Sequence, residues 1–308
     1  MAAAMGEAIR TAPEVSEALA AGAPVVALES TLIAHGLPRG RNLEVARELE
    51  AVVRRAGAVP ATIAVVDGVA RVGVDGAALE ALALGDGIAK AAVRDLAPVM
   101  ARGESAATTV ASTSHLAALA GIRVFATGGL GGVHREARES WDESADLTTL
   151  AATGITIVCA GVKSILDVGA TLERLETLGV CVLGYGSDRF PAFYLADSGF
   201  AAPWRVDGPE EVVAAIAAAD DLGVQSALLV ANPIAADEQL DPAEHERVLA
   251  DGLELARAQG VAGKAVTPFL LDHLHRATEG RSLEVNVAVA RANAAVAGAI
   301  AAAWSARP

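Results

Sequence analysis

Lysine and aromatic residues are scarce in this chain of 308 residues, and their scarcity limits what the chain can be. Only Lys90, Lys163 and Lys264 are lysines among 24 basic residues, so the other 21 are arginines. Aromatic residues make up 3% of a chain that is 53% apolar, so its core must consist mainly of Ala, Val, Leu and Ile. An apolar fraction of that size excludes disordered and fibrous proteins.

Positive charge and cysteine are also in short supply. The formal net charge is −14 at pH 7 and no basic cluster interrupts it, so we predict that nucleic acid is not a partner. Cys159 and Cys181 lie in apolar runs without the spacing of a metal or redox pair, which predicts buried, reduced thiols. The first fifteen residues lack the apolar core of a signal peptide, and the Ala-rich stretch 292–306 is shorter than the ~20 residues of a membrane span. We therefore expect a cytoplasmic protein with no membrane partner.

Six short apolar runs predict the strands of a parallel sheet, because strands buried on both faces lack polar alternation. The runs are residues 24–31, 61–66, 123–129, 155–161, 180–186 and 227–233. Helical patterns lie between them, for example 42–57 and 164–179, and only helical patterns follow residue 241. We predict an α/β fold: a single domain over residues 1–308, three-layer α/β/α, with a largely parallel central sheet and a helical C-terminal region. Residues 1–12 are expected to be flexible.

Residues 184–210 interrupt this regular pattern. Five of the ten aromatic side chains lie within residues 190–204 alone, and prolines are frequent. Long irregular segments in compact domains are commonly lids, binding loops or contact surfaces. The sequence favours an active-site lid and a subunit contact equally.

Polar residues follow three of the predicted strands. Glu29 ends the first, Thr127 ends the third and is followed by a glycine-rich loop with His134, and Lys163 follows the fourth. Ligands of an open parallel sheet bind at the carboxyl ends of its strands. We therefore expect a carboxylate, a glycine-rich loop and an amine at one rim.

Lys163 is the first candidate for chemistry. Between a strand and a predicted helix, it would face the positive end of the helix dipole, which favours a neutral, nucleophilic amine. An ordinary surface lysine is the alternative. Because arginine cannot form an imine and the chain uses arginine almost everywhere else, the retained lysine favours the nucleophile.

Glu29 and two aspartates are further candidates. Glu29, at the end of an apolar strand, suits a general acid or base, and equally a helix cap or an arginine partner. Asp142 and Asp146 are spaced i,i+4 on a predicted helix and could hold a hard divalent cation. A solvated acidic face is the commoner cause of such a run.

The segment 103–115 is a candidate phosphate site. Its predicted helix opens with hydroxyl residues from Thr108 to Thr113, which can hold an oxyanion together with free N–H groups, or can simply cap the helix. Lys90 lies shortly upstream and would supply a cation.

Several residues receive no function from their pattern. Lys264 has no polar neighbours, and His273 and His275 are typical of a helix surface, whereas His35 and His134 lie near the rim. The glycine-rich loop is not a dinucleotide motif, because His134 occupies the third glycine position.

Eight segments in order, between Ala23 and Ala295, resemble one family. They are VALESTLIAHGLPRGRN, GAVPATIAVVDG, SAATTVAST, IRVFATGGLGGVHR, SADL, VCAGVKSILD, LVANPI and TPFLL. These segments resemble the pseudouridine-5'-phosphate glycosidases, also known as indigoidine-synthase-A-like proteins. The resemblance implies a homotrimer of α/β/α subunits that interconverts pseudouridine 5'-phosphate and water with ribose 5-phosphate and uracil, a step of nucleotide catabolism. It also implies a divalent metal, typically Mn²⁺, or another such as Mg²⁺.

The resemblance further implies roles for individual residues. Lys163 would be the Schiff-base nucleophile, Glu29 the proton donor and Asp142 the metal ligand, which replaces the acidic-face interpretation. The implied substrate contacts are Lys90, Val110, Ser144, Ala145, Asp146, His134 and Asn286.

Two other functions compete with this one. An imine-forming sugar-phosphate aldolase would keep Lys163 but predicts eight βα units closed into a barrel, and only about six strand runs are present. A non-catalytic, metal-dependent phosphosugar-binding module would need no reactive lysine.

Overall fold

Eleven strands form a mixed sheet within the part of the chain that the computed structural model describes, residues 8–261 and 266–307. Lys264 lies outside these residues. The strands are β1 (Ile9–Thr11), β2 (Val25–Leu28), β3 (Val59–Val66), β4 (Val69–Val72), β5 (Ala89–Ala91), β6 (Ala106–Thr108), β7 (Val124–Ala126), β8 (Thr156–Cys159), β9 (Cys181–Tyr185), β10 (Trp204–Val206) and β11 (Leu228–Ala231).

The centre of the sheet is parallel throughout. Its order is β3-β2-β7-β8-β11-β9-β10, and every neighbouring pair in that row is parallel. All six predicted strand runs form strands of this row, and only the edge strand β10 joins them. The prediction of a largely parallel central sheet is confirmed.

The far end of the sheet differs from the prediction. The second half of β3, Ile63–Val66, pairs antiparallel with β4 and β6, while β1 extends β4 and β5 extends β6 in parallel. These added strands lie outside the six apolar runs from which strands were predicted. Within the segment 1–12 that was expected to be flexible, Ile9–Thr11 forms β1, and the Ala12 N–H donates to the Val72 carbonyl at 2.9 Å.

Helices cover both faces of the sheet. They are α1 (Pro13–Ala20), α2 (Thr31–His35), α3 (Arg41–Arg55), α4 (Gly76–Leu84), α5 (Val93–Ala101), α6 (Val110–Leu119), α7 (Ala137–Ser140), α8 (Ala145–Ala151), α9 (Val168–Thr177), α10 (Pro209–Asp221), α11 (Pro242–Ala258), α12 (Val266–Ala277) and α13 (Arg281–Ser305). The last three make the predicted helical C-terminal region.

Successive residues of each central strand enter different core layers. In β2, Val26 and Leu28 belong to the cluster that contains α3, α10 and much of α13, whereas Val25 and Ala27 belong to the cluster that contains α6, α8, α9, α11 and α12. Side chains alternate across a strand, so one strand supplies both layers. The three-layer α/β/α architecture is confirmed.

The last helix, α13, is a helix of the core. It has 25 residues, longer than the Ala-rich stretch 292–306 suggested, and is long and apolar enough to cross a membrane. Half of its most apolar window is buried, and it packs against α3, where a Cβ at Gly298 would lie 2.4 Å from the Ala56 Cβ. Its apolar composition is explained by this packing.

Both cysteines are unpaired, as expected. Cys159 is fully buried at the end of β8, and burial raises the pKa of its thiol to about 12. Cys181 begins β9 and is half-buried.

Candidate active site

A cavity of about 460 Å³ opens at the carboxyl ends of the central strands. Glu29 follows β2 directly, and Lys163 lies four residues beyond β8. Lys90 from β5 and Asn286 from α13 line the same cavity. The rim predicted from the strand ends therefore exists, and four of the predicted site residues share it.

The Glu29 carboxylate is held by two hydroxyl groups. Thr127, at the end of β7, donates to one carboxylate oxygen, and Thr31, at the start of α2, donates to the other. Thr127 is buried and Glu29 is half-buried. The two donors hold the carboxylate in the wall of the cavity that Lys163 also lines.

Lys163 lies in a turn, and the prediction that it begins a helix is wrong. Its N–H donates to the Leu130 carbonyl at 3.1 Å, and its own carbonyl accepts from the Leu166 N–H at 2.9 Å. Helix α9 begins only at Val168, after Asp167, whose side chain caps it by accepting from the Ala170 N–H. The turn presents the Lys163 side chain to the cavity without help from a helix dipole.

Two glycines allow the aromatic segment, residues 190–204, to pack closely against the glycine-rich loop and the loop after β8. A Cβ on Gly129 would lie 2.4 Å from the Phe193 ring, and one on Gly161 would lie 2.2 Å from the Pro191 carbonyl oxygen. Gly161 also has a φ of +78°, which favours glycine. The glycine-rich loop thus serves close packing around the cavity.

The predicted helix with Asp142 and Asp146 on one face does not form. Asp142 precedes α8, whose N-cap is Ser144, and only Asp146 is helical. The carboxylate of Asp146 is buried and accepts two backbone N–H groups, from Ala111 at 3.0 Å and from Gly131 at 2.8 Å. Asp146 therefore joins the start of α6 to the glycine-rich loop.

Asp142 and His134 form a pair outside the wall of the cavity. Asp142 Oδ2 lies 3.7 Å from His134 Nδ1, and the His134 N–H donates to the Asp142 carbonyl. Within residues 8–261 and 266–307 no three His, Cys, Asp or Glu side chains cluster as a metal site would require. A carboxylate with one imidazole fits a hydrated hard cation that keeps most of its water ligands, as Mg²⁺ and similar ions commonly do.

Lys90 lies within electrostatic reach of both Asp146 and the nucleophile candidate Lys163. Burial lowers the pKa of its ammonium group, and Lys163 lowers it further, while Glu29 and Asp146 raise it. Solvent reaches Lys90 through the mouth of the cavity even though protein surrounds much of its side chain. A second cation and two carboxylates thus lie within electrostatic reach of Lys90.

At the start of α6, the hydroxyls make internal hydrogen bonds, and a backbone N–H is the group that can bind an oxyanion. The hydroxyls of Thr108, Ser112 and Thr113 bind internal acceptors, so they do not form the oxyanion site that the sequence suggested. Thr109 caps the helix. In the described part of the chain, hydrogen bonds engage the N–H groups of Ala111, Ser112 and Thr113 but not that of Val110.

Part of the cavity wall was missed by sequence reasoning. Phe193 and Tyr194 line it, although both are largely buried, while Phe200 and Trp204 are exposed at a separate groove. Phe193 and Tyr194 of the segment 190–204 thus form part of the cavity wall, whereas Phe200 and Trp204 lie at the other groove. His275 also lines the cavity, and its expected place on a helix surface is wrong.

Comparison with known proteins identifies relatives of this chain. The family profile described as "Indigoidine synthase A like protein" matches residues 14–303. A protein of Salinispora tropica named pseudouridine-5'-phosphate glycosidase is 63% identical over 97% of this chain and 93% of its own length. One of the same name from Streptomyces griseus is 62% identical, over 94% and 90%.

Solved structures share the fold. The prealnumycin C-glycosynthase AlnA, in complex with ribulose 5-phosphate, superposes with a TM-score of 0.91 at 38% identity over 97% of each chain. An indigoidine synthase A-like protein from Thermotoga maritima gives 0.86 at 37% identity over 95% of each chain. By profile, sequence identity and fold, the chain belongs to the indigoidine synthase A-like family.

Proposed function

We propose that this protein is a pseudouridine-5'-phosphate glycosidase, which reversibly converts pseudouridine 5'-phosphate and water to ribose 5-phosphate and uracil. The observation that carries the proposal is the shared cavity of Lys163 and Glu29, in a chain 63% identical to a relative of that name. The substrate partners are small molecules.

The chemistry of the substrate explains the need for an amine. A carbon–carbon bond joins C1' of the ribose to C5 of uracil, so the leaving group is a carbanion, which a pair of carboxylates relieves poorly. The Lys163 amine attacks C1' and the ring oxygen leaves as a hydroxyl, taking one proton of the amine. The nitrogen lone pair then forms an iminium while the C1'–C5 electron pair remains on uracil.

Glu29 supplies the proton that this step requires. As the C1'–C5 bond breaks, the Glu29 carboxyl protonates C5, and uracil leaves. Water then hydrolyses the iminium to ribose 5-phosphate and the free amine, and the proton released in hydrolysis restores Glu29. One water is consumed in each cycle, and the two hydroxyl donors hold Glu29 in place.

The phosphate of the substrate would bind Lys90 and the N–H of Val110 at the start of α6, where cation and helix N-terminus both favour an anion. Ser144, Ala145, Asp146, His134 and Asn286 would contact the substrate, as the resemblance implies. Asn286 is supported by its place in the cavity wall.

A divalent cation, Mn²⁺ or Mg²⁺, would be held by Asp142 through its carboxylate, with His134 beside it and water completing the shell. When bound, such a cation supplies positive charge that orients and polarises the substrate. A homotrimer in the cytoplasm is also proposed, the trimer from the family resemblance and the compartment from the two unpaired cysteines.

The observed fold disfavours the aldolase alternative. It predicted a closed barrel, whereas the sheet is an open row with an antiparallel edge. The binding-module alternative needs no reactive lysine, so it predicts that Lys163 forms no covalent adduct with the sugar.

Two measurements test the proposed function. Purified protein with Mn²⁺ should release uracil from pseudouridine 5'-phosphate, and borohydride with ribose 5-phosphate should attach the sugar covalently to Lys163. We expect Lys163→Arg, which keeps the charge but cannot form an imine, to lower the rate by about a thousandfold or more and to give no adduct. Failure of the wild type to release uracil would refute the proposal.

A further inference from the structure

The turn that carries Lys163, residues 163–166, is held from two sides. On one side the glycine-rich loop accepts the Lys163 N–H through the Leu130 carbonyl. On the other side Arg135 donates from Nη2 to the Ser164 carbonyl at 3.0 Å and from Nε to the Ile165 carbonyl at 3.1 Å. Two successive carbonyls of the turn are thus held by one planar guanidinium.

The charged guanidinium of Arg135 binds backbone carbonyls. It makes no ion pair within the described residues, although Asp167 lies near enough to raise its pKa. Burial is the larger effect and lowers that pKa. The residue as a whole is exposed, and its guanidinium donates to the two carbonyls of the turn without a carboxylate partner in the described residues.

His245 reaches the same turn from a different layer. Its Nε2 lies 2.7 Å from the hydroxyl oxygen of Ser164, and both side chains are about 95% buried. Burial and the nearby Arg135 lower the pKa of His245 to about 4, so the ring is neutral at physiological pH. A neutral imidazole can serve as either donor or acceptor toward a hydroxyl, so this bond forms with either tautomer.

His245 also lies near a residue of the cavity wall. Its ring lies 6.1 Å from the ring of Tyr194, which lines the cavity, and the Tyr194 carbonyl accepts from the Leu240 N–H just before α11. No described residue of α11 itself lines the cavity. His245 therefore connects α11 to the turn that carries Lys163.

We propose that His245, through Ser164, is a positioning residue that holds the Lys163 turn, beside the hydrogen bonds from Arg135, so that the amine faces the substrate. The imine chemistry that this position serves rests on the proposed function. A displacement of about 1 Å at a reacting atom can slow a reaction by about a hundredfold, so such support is worth a measurable rate.

The rarity of lysine makes the test direct. Only three lysines exist in the chain, so reductive methylation by formaldehyde and cyanoborohydride can be followed at Lys163 and Lys90 separately by mass spectrometry. The variants are His245→Leu, Ser164→Ala, their combination, and His245→Gln, whose amide nitrogen can replace Nε2. Val248→Ala, a buried change on the same helix, is the matched control for a merely structural loss.

We expect His245→Leu and Ser164→Ala each to slow borohydride trapping of ribose 5-phosphate by about tenfold or more at saturating sugar. Both should also change the methylation rate of Lys163, with that of Lys90 unaltered. The double variant should be no worse than either single variant, because both remove one bond. His245→Gln should recover most of the rate.

The proposal is overturned if Lys163 in His245→Leu behaves as it does in Val248→Ala, with equal methylation and trapping per folded molecule. The two proposals fail separately. A wild type that never forms the sugar adduct refutes the glycosidase chemistry, whereas the methylation of Lys163 still decides whether His245 positions it.

Discussion

Glu29 accepts one hydrogen bond from a residue that is distant in the chain but adjacent in the sheet. Thr127 is 98 residues away, and its hydroxyl meets Glu29 because β2 and β7 are neighbouring parallel strands that end at the same rim. A carboxyl group that is already oriented needs no reorganisation when it transfers its proton, which is the advantage of a preorganised site.

Thr127→Val should test this arrangement with little change of shape. We expect kcat for uracil release to fall by about ten- to a hundredfold, because a hydrogen bond to a charged group contributes about 1.5–3 kcal/mol. Thr177→Val, at an exposed helix hydroxyl, should leave kcat unchanged. An unaltered kcat in Thr127→Val, measured beside that control, would show that the hydroxyl does not orient Glu29.

Asp142 is a second single residue whose role can be tested, because its carboxylate alone would hold the cation. Asp142→Asn should weaken binding of Mn²⁺ by about tenfold or more, since one negative charge of a sparse ligand set is lost. Electron paramagnetic resonance of free Mn²⁺ measures this binding without any assay of activity. Glu139→Gln, in the same acidic run, is the control, and equal affinities of the two variants would move the cation site elsewhere.

At the scale of elements, the aromatic segment and the loop after β8 are joined by close backbone contact. Phe193 has a φ of +60°, and its N–H donates to the Ala160 carbonyl at 2.8 Å beside Gly161. Strained backbone of this kind persists where its surroundings impose it, and such positions cluster at functional sites. The contact brings the Phe193 ring to the wall beside Lys163.

Gly161→Ala should therefore be costly for the fold. A Cβ at this position meets the Pro191 carbonyl oxygen in addition to the unfavourable φ, so we expect a loss of more than about 3 kcal/mol in the free energy of unfolding. Gly223→Ala has a similar φ of +67° with no atom within 4 Å of its Cβ, and should cost only about 1 kcal/mol. Urea unfolding of the two variants measures the difference, and equal losses would show that the Pro191 contact can relax.

For the whole molecule, the buried neutral histidine couples stability to pH. His245 has a pKa of about 4 in the folded protein against 6.5 in the unfolded chain. Between these values the unfolded chain binds more protons, so the free energy of unfolding rises with pH in this window. The stability that neutral His245 contributes is complete above pH 6.5 and is lost as the pH falls toward 4.

His245→Gln should flatten this dependence. We expect the wild type to lose on the order of 3 kcal/mol through this group between pH 6.5 and 4, and the variant to lose correspondingly less. Urea unfolding at a series of pH values measures both slopes. Val248→Ala should lower the curve equally at every pH, and a wild-type slope that survives in His245→Gln would assign the titration to other groups.

Local sequence patterns were enough to predict six of the seven strands in the central row and the residues at their ends. Apolar runs of six to eight residues predicted these six strands, because burial on both faces leaves a local pattern. The parallel order then placed Glu29 and Lys163 on one rim. Local pattern failed at β1, β4, β5, β6 and β10, which lie outside those runs, and at the late start of α9 after Lys163.

The side chains that support these residues are set by the packing of distant parts of the chain. Three contacts join residues that are separated by about thirty to a hundred positions. They are the Thr127 hydroxyl with Glu29, the Ser164 hydroxyl with His245, and the Phe193 ring with the cavity wall. No periodicity records such contacts, because they arise when separate layers pack on the sheet. The scarcity of lysine directed attention to Lys163, but its turn and its neighbours follow from that packing.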